Sequence, residues 1–338
     1  MKAMKPFKNI PDTLEQMCER IMIRLPLVCR KPQLLGMDDI LPYRRRKVRM
    51  NSYHEFGIPK RSGGMRVIQA PCEELNYIQK AVNSLLREQW TPADEVCGFV
   101  QGRSVGMGAA QHVGMHYVFN TDLHDFFPSI TAPKVFEMLM RELGMKPAVA
   151  RLICDLCTIP VKEGYDVLPQ GSPASPILSN IACARMDRRL KGLAECFGLT
   201  YTRYADDITF SAPYNAFKEG GTFRICLERI IREEGFSLNE AKTRLQKRGG
   251  RQEVTGLTVN EKVNVPRKWL KGLRACIHRM EVDGFSPEEM DAARGKVAWL
   301  RHARGGLDPL SQKMVMRLNA LEVALYFDEL PDEDGSKI

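Results

Sequence analysis

The chain has 338 residues, 44% hydrophobic and 27% charged, enough for a substantial core and about two domains, or one large fold with an appendage. No run approaches 18 apolar residues, which excludes a membrane-spanning helix, and the basic start Met1-Lys2-Ala3-Met4-Lys5-Pro6-Phe7-Lys8 lacks the apolar core of a secretory signal, so a cytoplasmic address is expected. The net charge is +9, yet the last 13 residues carry −4, so the first 325 hold +13 and favour a polyanionic partner.

In chain order, residues 1 to about 40 read as helical, with Leu14, Met17, Cys18, Ile21 and Leu25 on one stripe behind a Pro11-Asp12 start. A basic cluster follows at Arg44-Arg45-Arg46-Lys47-Arg49. Residues 51 to 70 alternate in polarity around Ser62-Gly63-Gly64, the pattern of a hairpin. The strand-like run Tyr117-Val118-Phe119-Asn120-Thr121 ends in Asp122, and Pro128 stops it. Cys154 and Cys157 form a lone C-x-x-C in the helix-like stretch from Ala148 to Ile153. A zinc site needs two more ligands of similar spacing, so these thiols are expected to pack in the core, reduced like the rest of the ten cysteines.

Tyr204-Ala205-Asp206-Asp207 then lies between the β-rich runs Tyr201-Thr202-Arg203-Tyr204 and Ile208-Thr209-Phe210-Ser211. Neighbours on a regular strand face opposite ways, so two consecutive Asp serve one site only at a tight hairpin turn, whose unusual dihedrals Asp tolerates. Their repulsion calls for a divalent cation, and hard carboxylate oxygens suit magnesium. With Asp122 at a strand end, three carboxylates from two segments have the make-up of a two-metal site for phosphoryl transfer. Further basic groups follow at Lys242, Arg244, Lys247, Arg248 and Arg251, and from Arg267 to Arg279, the footprint of nucleic-acid binding. Beyond Asn260, Leu270, Leu273, Ile277 and Met280 make a helical stripe. Ser286-Pro287-Glu288-Glu289 has the form of a capping box, and Asp308-Pro309 starts another helix carrying Met314, Leu318, Leu321 and Leu325. The expected division is an N-terminal helical extension (1–50), a central α+β domain (51–262), a three-helix bundle (263–330) and an acidic tail (331–338).

Tyr204 to Asp207 resembles the YxDD box of reverse transcriptases, and Asp122 their motif A aspartate. Leu168-Pro169-Gln170-Gly171-Ser172-Pro173-Ala174-Ser175-Pro176 resembles motif B. Gly57-Ile58-Pro59-Lys60 through Arg66-Val67-Ile68, and Gln101-Gly102-Arg103-Ser104-Val105, resemble the fingers blocks. These ordered motifs cover roughly residues 50 to 262. Val254-Thr255-Gly256 is similar to the VTG block of bacterial retron enzymes. Gly108-Ala109-Ala110-Gln111-His112 is similar to their NAxxH block, with Gly108 where Asn is expected, so any hydrogen bond of that Asn to RNA is absent from this chain.

The resemblance implies a right-hand polymerase fold: fingers, an antiparallel palm sheet backed by helices, and a helical thumb. It implies Asp122, Asp206, Asp207 and the Leu123 carbonyl as ligands of two Mg2+ ions, with deoxynucleoside triphosphates as substrates. Lys60 and Arg66 would hold the triphosphate and Gln170 the nucleotide. Asp125 either lends its backbone to the triphosphate or is a turn carboxylate. Phe127 would lie under the sugar and exclude a 2′-hydroxyl, with Phe126 in the core. Lys242 resembles the motif D lysine, either a general acid for pyrophosphate or a phosphate contact. His112, Gly171, Val254, Thr255, Gly256, Lys271 and Arg274 are the expected nucleic-acid contacts, the turn at Val254 to Gly256 gripping the primer end. Retron enzymes copy part of a dedicated structured RNA from an internal 2′-hydroxyl, leave a branched RNA–DNA product, and act with an effector protein in antiphage defence. The alternatives are another stand-alone defence reverse transcriptase and a non-catalytic RNA-binding scaffold. Neither a ribonuclease H domain nor intron-type DNA-binding and endonuclease domains are expected within this length.

Overall fold

The computed structural model describes residues 11–28, 35–60 and 63–328. The acidic tail and the first ten residues lie outside that range. Helix α1 (Leu14–Val28) buries Met17, Cys18, Ile21 and Leu25, the expected stripe less a half-exposed Leu14. Thr13 caps it, its hydroxyl accepting from the Gln16 amide at 3.2 Å. The short α2 (Met37–Ile40) and α3 (Arg46–Met50) lead into the antiparallel hairpin β1 (Tyr53–Pro59) and β2 (Met65–Pro71), with Ile58 opposite Arg66. Next come α4 (Glu73–Gln89), α5 (Val105–Ala110), β3 (Tyr117–Asp122), α6 (Ala132–Leu143), α7 (Pro147–Cys157) and α8 (Ser175–Cys196). They are followed by β4 (Thr200–Tyr204), β5 (Asp207–Ala212), α9 (Thr222–Glu233), β6 (Arg244–Lys247), β7 (Glu253–Val254), β8 (Leu257–Thr258), α10 (Arg267–Asp283), α11 (Pro287–Arg304) and α12 (Pro309–Asp328).

Strands β4, β5, β3 and β6 form one sheet in that order, which sets the end of β3 beside the start of β5. Helix α8 buries apolar residues such as Ile177, Leu178, Ile181, Met186 and Leu190 along its length. It packs against α6, α9 and β4. Cys154 and Cys157 are buried in α7, and burial pushes the Cys154 thiol up to about 12, so both pack as expected.

The chain forms two compact units. One holds Met1–Arg103, Asn120–Thr209 and Ala216–Arg244; the other holds Ser104–Phe119, Phe210–Asn215 and Leu245–Ile338. The second unit is drawn more widely than the expected residues 263–330. Its core joins Leu273, Ile277 and Met280 of α10 and Val297 and Leu300 of α11 to Ala109, Val254 and Leu257. A hairpin of two-residue strands cannot bury its own apolar side chains, so β7 and β8 share the core of the helices. The capping box at Ser286 forms as expected, with the Glu289 amide 3.3 Å from Ser286 Oγ and the Ser286 amide 3.1 Å from Glu289 Oε2. Asp308 starts α12, accepting from the Ser311 amide at 3.0 Å; the Arg304 fork beside it holds its carboxyl down at about 2.

Candidate active site

Asp122 closes β3, Asp206 ends the turn after β4, and Asp207 opens β5. The backbone ties the two segments together: the Leu123 amide donates to the Asp206 carbonyl at 3.1 Å, and the Asn239 amide donates to the Asp122 carbonyl at 2.8 Å. Asp122 is 3% exposed. Its Oδ2 accepts from Lys242 Nζ at 2.7 Å, which raises the lysine pKa, while its Oδ1 is buried without any hydrogen-bond partner. Burial, the Asp207 charge and a hydrogen bond to Asp122 push the Asp206 carboxyl up to about 7. Burial and the Asp122 charge also raise Asp207, against the lowering effect of Lys242 and Arg244.

A buried carboxylate oxygen without a donor, beside two carboxylates that resist ionisation, fits a cation-binding site. Hard oxygen donors fit a divalent metal. Among the described residues no group of three or more His, Cys, Asp or Glu side chains is arranged so that it could hold a metal ion by itself.

The raised carboxyl has a thermodynamic consequence. Its folded-state pKa lies above the ordinary value of 3.8, so the folded form binds the proton more tightly than the unfolded form. This group's contribution to metal-free stability is therefore full below about pH 4 and lost as pH rises through about 7. Divalent metal should raise the melting temperature strongly at pH 8 and little at pH 5. Thermal unfolding with and without metal at both values checks this; an equal rise at both would remove the carboxylates from metal binding.

The turn before Asp207 is strained. Its positive φ falls on Ala205 (φ +56), not on an Asp as the sequence suggested, because Asp207 already belongs to β5 and the turn is Ala205-Asp206. Positive φ at the first turn position ordinarily selects Gly. A buried network holds Ala205 there. Arg203, fully enclosed, donates to the Ala205 carbonyl at 2.9 Å and forks onto Asp187 with two bonds of 2.7 Å. Tyr201 Oη also donates to Asp187 at 2.7 Å, and Asn180 accepts from Arg203 at 3.2 Å. Asn180 and Asp187 are two turns apart on α8 and so share one face. Asn180 donates in turn to the Gly98 carbonyl at 2.9 Å. Gly98 lies so close under the turn that a Cβ there would meet the Ala205 amide nitrogen at 2.5 Å.

Residues 58–266, more than half of the chain, match the family described as reverse transcriptase (RNA-dependent DNA polymerase). The chain belongs to the reverse transcriptase family. Within it, the chain is similar to retron reverse transcriptases. It is 42% identical to the Retron Mx65 reverse transcriptase of Myxococcus xanthus over 70% of this chain and 57% of that one. It is 35% identical to the Retron Mx162 enzyme of the same organism over 73% and 57%, and 35% identical to the Retron Ec86 reverse transcriptase of Escherichia coli over 72% and 70%. The chain thus spans about 57% of the length of the two Myxococcus relatives. A solved telomerase from Candida albicans, complexed with a fragment of telomeric RNA, is similar at a TM-score of 0.49 and 11% identity over 84% of this chain and 65% of that one, too distant to argue from. The α+β architecture is the right-hand polymerase fold of the family.

Phe126 is buried and Phe127 half-exposed. Phe127 packs at 6.2 Å from Phe99, which lies 6.3 Å from Tyr204 of the carboxylate hairpin. Asp125 is an exposed turn residue (φ +43) with its carboxylate 3.2 Å from His124 Nδ1. Lys60 and Arg66 are exposed, and the β1–β2 register puts them on one face near the hairpin end.

Two of the expected nucleic-acid contacts, His112 and Val254, are otherwise employed. His112 is fully buried, with Nδ1 2.7 Å from Ser211 Oγ, and burial pushes its pKa down to about 3; a neutral, enclosed imidazole offers nothing to RNA. Gly108 is buried in α5 as well. Gly171 (φ +144) makes room for protein: a Cβ there would meet the Gln69 carbonyl oxygen of β2 at 2.6 Å. The Gln69 amide donates to the Gln170 carbonyl at 2.8 Å, locking motif B to the hairpin, while Ser175 Oγ donates to the Pro169 carbonyl at 2.7 Å. Val254 is a core residue paired with Leu257, and Thr255 (φ +47) and Gly256 (φ +80) form the tight turn between them. Lys271 and Arg274 stand exposed on α10 opposite its buried Leu273, Ile277 and Met280.

Proposed function

We propose that the protein is an RNA-directed DNA polymerase of retron type, copying part of a dedicated structured RNA into a short single-stranded DNA. Priming from an internal 2′-hydroxyl gives a branched RNA–DNA product, and an effector protein completes a system that serves antiphage defence in the cytoplasm. The observation that carries the catalytic reading is the orphaned Oδ1 of Asp122 beside two carboxylates that resist ionisation. Asp122, Asp206, Asp207 and the Leu123 carbonyl would hold two Mg2+ ions, which when bound supply Lewis acidity for in-line displacement at a phosphorus. Lys242, already paired with Asp122, keeps a positive charge at the site for the departing pyrophosphate. Lys60 and Arg66 would hold the triphosphate of a deoxynucleotide, with Asp125 and Gln170 beside it. Thr255 and Gly256 at the β7–β8 turn, with Lys271 and Arg274, would hold the primer–template phosphates.

Phe127, with the Phe99 and Phe126 rings beside it, would lie under the sugar. Phe127→Ala should raise ribonucleotide incorporation by about tenfold or more. Unchanged discrimination in competition assays would make that ring a packing residue only.

The whole reading is tested on nucleic acid copurified from the native host, comparing wild type with Asp206→Asn after separate ribonuclease, deoxyribonuclease and 2′–5′ debranching treatments. A single short DNA joined to one RNA by a debranchable link, and absent from the variant, is the expected result. Unbranched DNA would overturn the retron assignment, and RNA alone in both samples would overturn the polymerase.

A further inference from the structure

A second concave site lies apart from the carboxylates. A cavity of about 740 Å³ is bounded by α3, α6, α7 and the loop before motif B, and none of Asp122, Asp206 or Asp207 lines it. Its volume falls in the range of small-ligand sites, about 300–1,000 Å³. Pro133 and Phe136 of α6 and Pro147 of α7 give it an apolar wall, and Tyr165, 67% exposed, stands at its edge.

Four guanidinium groups line it: Arg44, Arg46, Arg49 and Arg151. Two carboxylates oppose them. Buried Arg49 is paired with Asp166 and lies 3.5 Å from Asp155, and its Nε is left without a partner. Arg151 reaches Asp155 at 3.2 Å, whereas Arg44 and Arg46 lie only 3.7 and 3.8 Å from Asp155 and Asp166. Four positive charges against two negative ones leave a surplus of two. Arg44, Arg46 and Arg151 keep about half or more of their side chains in solvent, so their donors can reach a ligand without unfolding anything. Arginine forks match phosphate oxygens, and an exposed tyrosine on an apolar wall matches the face of a base.

We propose that this cavity binds one phosphorylated nucleotide, with its phosphate against Arg46 and Arg151 and its base against Tyr165. The nucleotide comes either from a single-stranded stretch of bound RNA or from the free mononucleotide pool; the chemistry is shared, and the test separates the two.

The probes are adenosine 5′-monophosphate, adenosine and a ten-nucleotide single-stranded RNA, titrated against the full chain without divalent metal. Wild type, Arg151→Ala and Tyr165→Ala are compared, and Arg46→Ala is added because Arg46 also donates to the Val161 carbonyl. For a free nucleotide, the monophosphate binds at least about tenfold tighter than adenosine, and Arg151→Ala and Tyr165→Ala each weaken it about tenfold. For a strand, the decamer loses affinity in the same variants, and the slope of log affinity against log salt falls by about one in Arg151→Ala. Unchanged affinity for both probes in all three variants overturns the proposal. DNA synthesis on a primed homopolymer stays at the wild-type rate in Arg151→Ala. Because binding is read without synthesis, failure of the polymerase reading leaves this result standing.

Discussion

Asp206→Asn and Asp207→Asn each lower DNA synthesis on a primed RNA template by on the order of 10³-fold or more, while RNA affinity stays within about twofold of wild type. The substitutions keep size and hydrogen-bonding capacity but remove the charge that a cation needs. Asp206→Asn also melts at a higher temperature than the metal-free wild type at pH 8, because it removes a carboxylate whose ionisation burial opposes. Loss of activity with gain of stability separates a site residue from a packing residue. Primer extension and thermal unfolding of the same preparation check both halves; synthesis within tenfold of wild type in both variants would sink the assignment.

Arg203→Met has the next largest effect. It leaves Asp187 buried without its fork, and breaking such a pair costs about 3–5 kcal/mol. Arg203→Lys is the more informative change, since it keeps the charge but not the two-point grip on Asp187 or the reach to the Ala205 carbonyl. Its synthesis rate should fall at least about tenfold, with a higher metal requirement, as the strained turn relaxes. Adding Ala205→Gly removes the strain at φ +56 and should restore part of that loss. If Arg203→Lys lost stability alone, with the metal requirement unchanged and no rescue by Ala205→Gly, the network would be ordinary core. Gly98→Ala should resemble Arg203→Lys in activity, because its methyl group meets backbone rather than a movable side chain.

The carboxylates were legible because their chemistry is written in short spacings: two adjacent Asp between strands, and a third at a strand end. The α10 stripe, Met314 and Leu318 of the α12 stripe, and the Ser286 cap were legible for a similar reason, since helical period and capping are local rules; the Leu325 side chain lies outside the described residues. The network behind the turn was not. Asn180 and Asp187 look like stray polar positions until Arg203, from another element, meets them. The available signal was their seven-residue spacing, which sets both on one face of α8. His112 was misplaced for the opposite reason: a role transferred with a motif says nothing of burial, and this imidazole is enclosed by protein. The arginines at 44, 46 and 49 read as part of a nucleic-acid-binding footprint, yet their carboxylate partners lie more than a hundred residues downstream.

The seam between Gly171 and Gln69 makes the hairpin and motif B a single mechanical piece. Force applied at the hairpin end, where Lys60 and Arg66 are proposed to hold a triphosphate, is delivered to the peptide that carries Gln170. The proposed phosphate grip and the proposed nucleotide contact are therefore geared together. A loosened gear, as in Gly171→Ala, would blur the choice among the four incoming bases before it slowed the joining of any one of them.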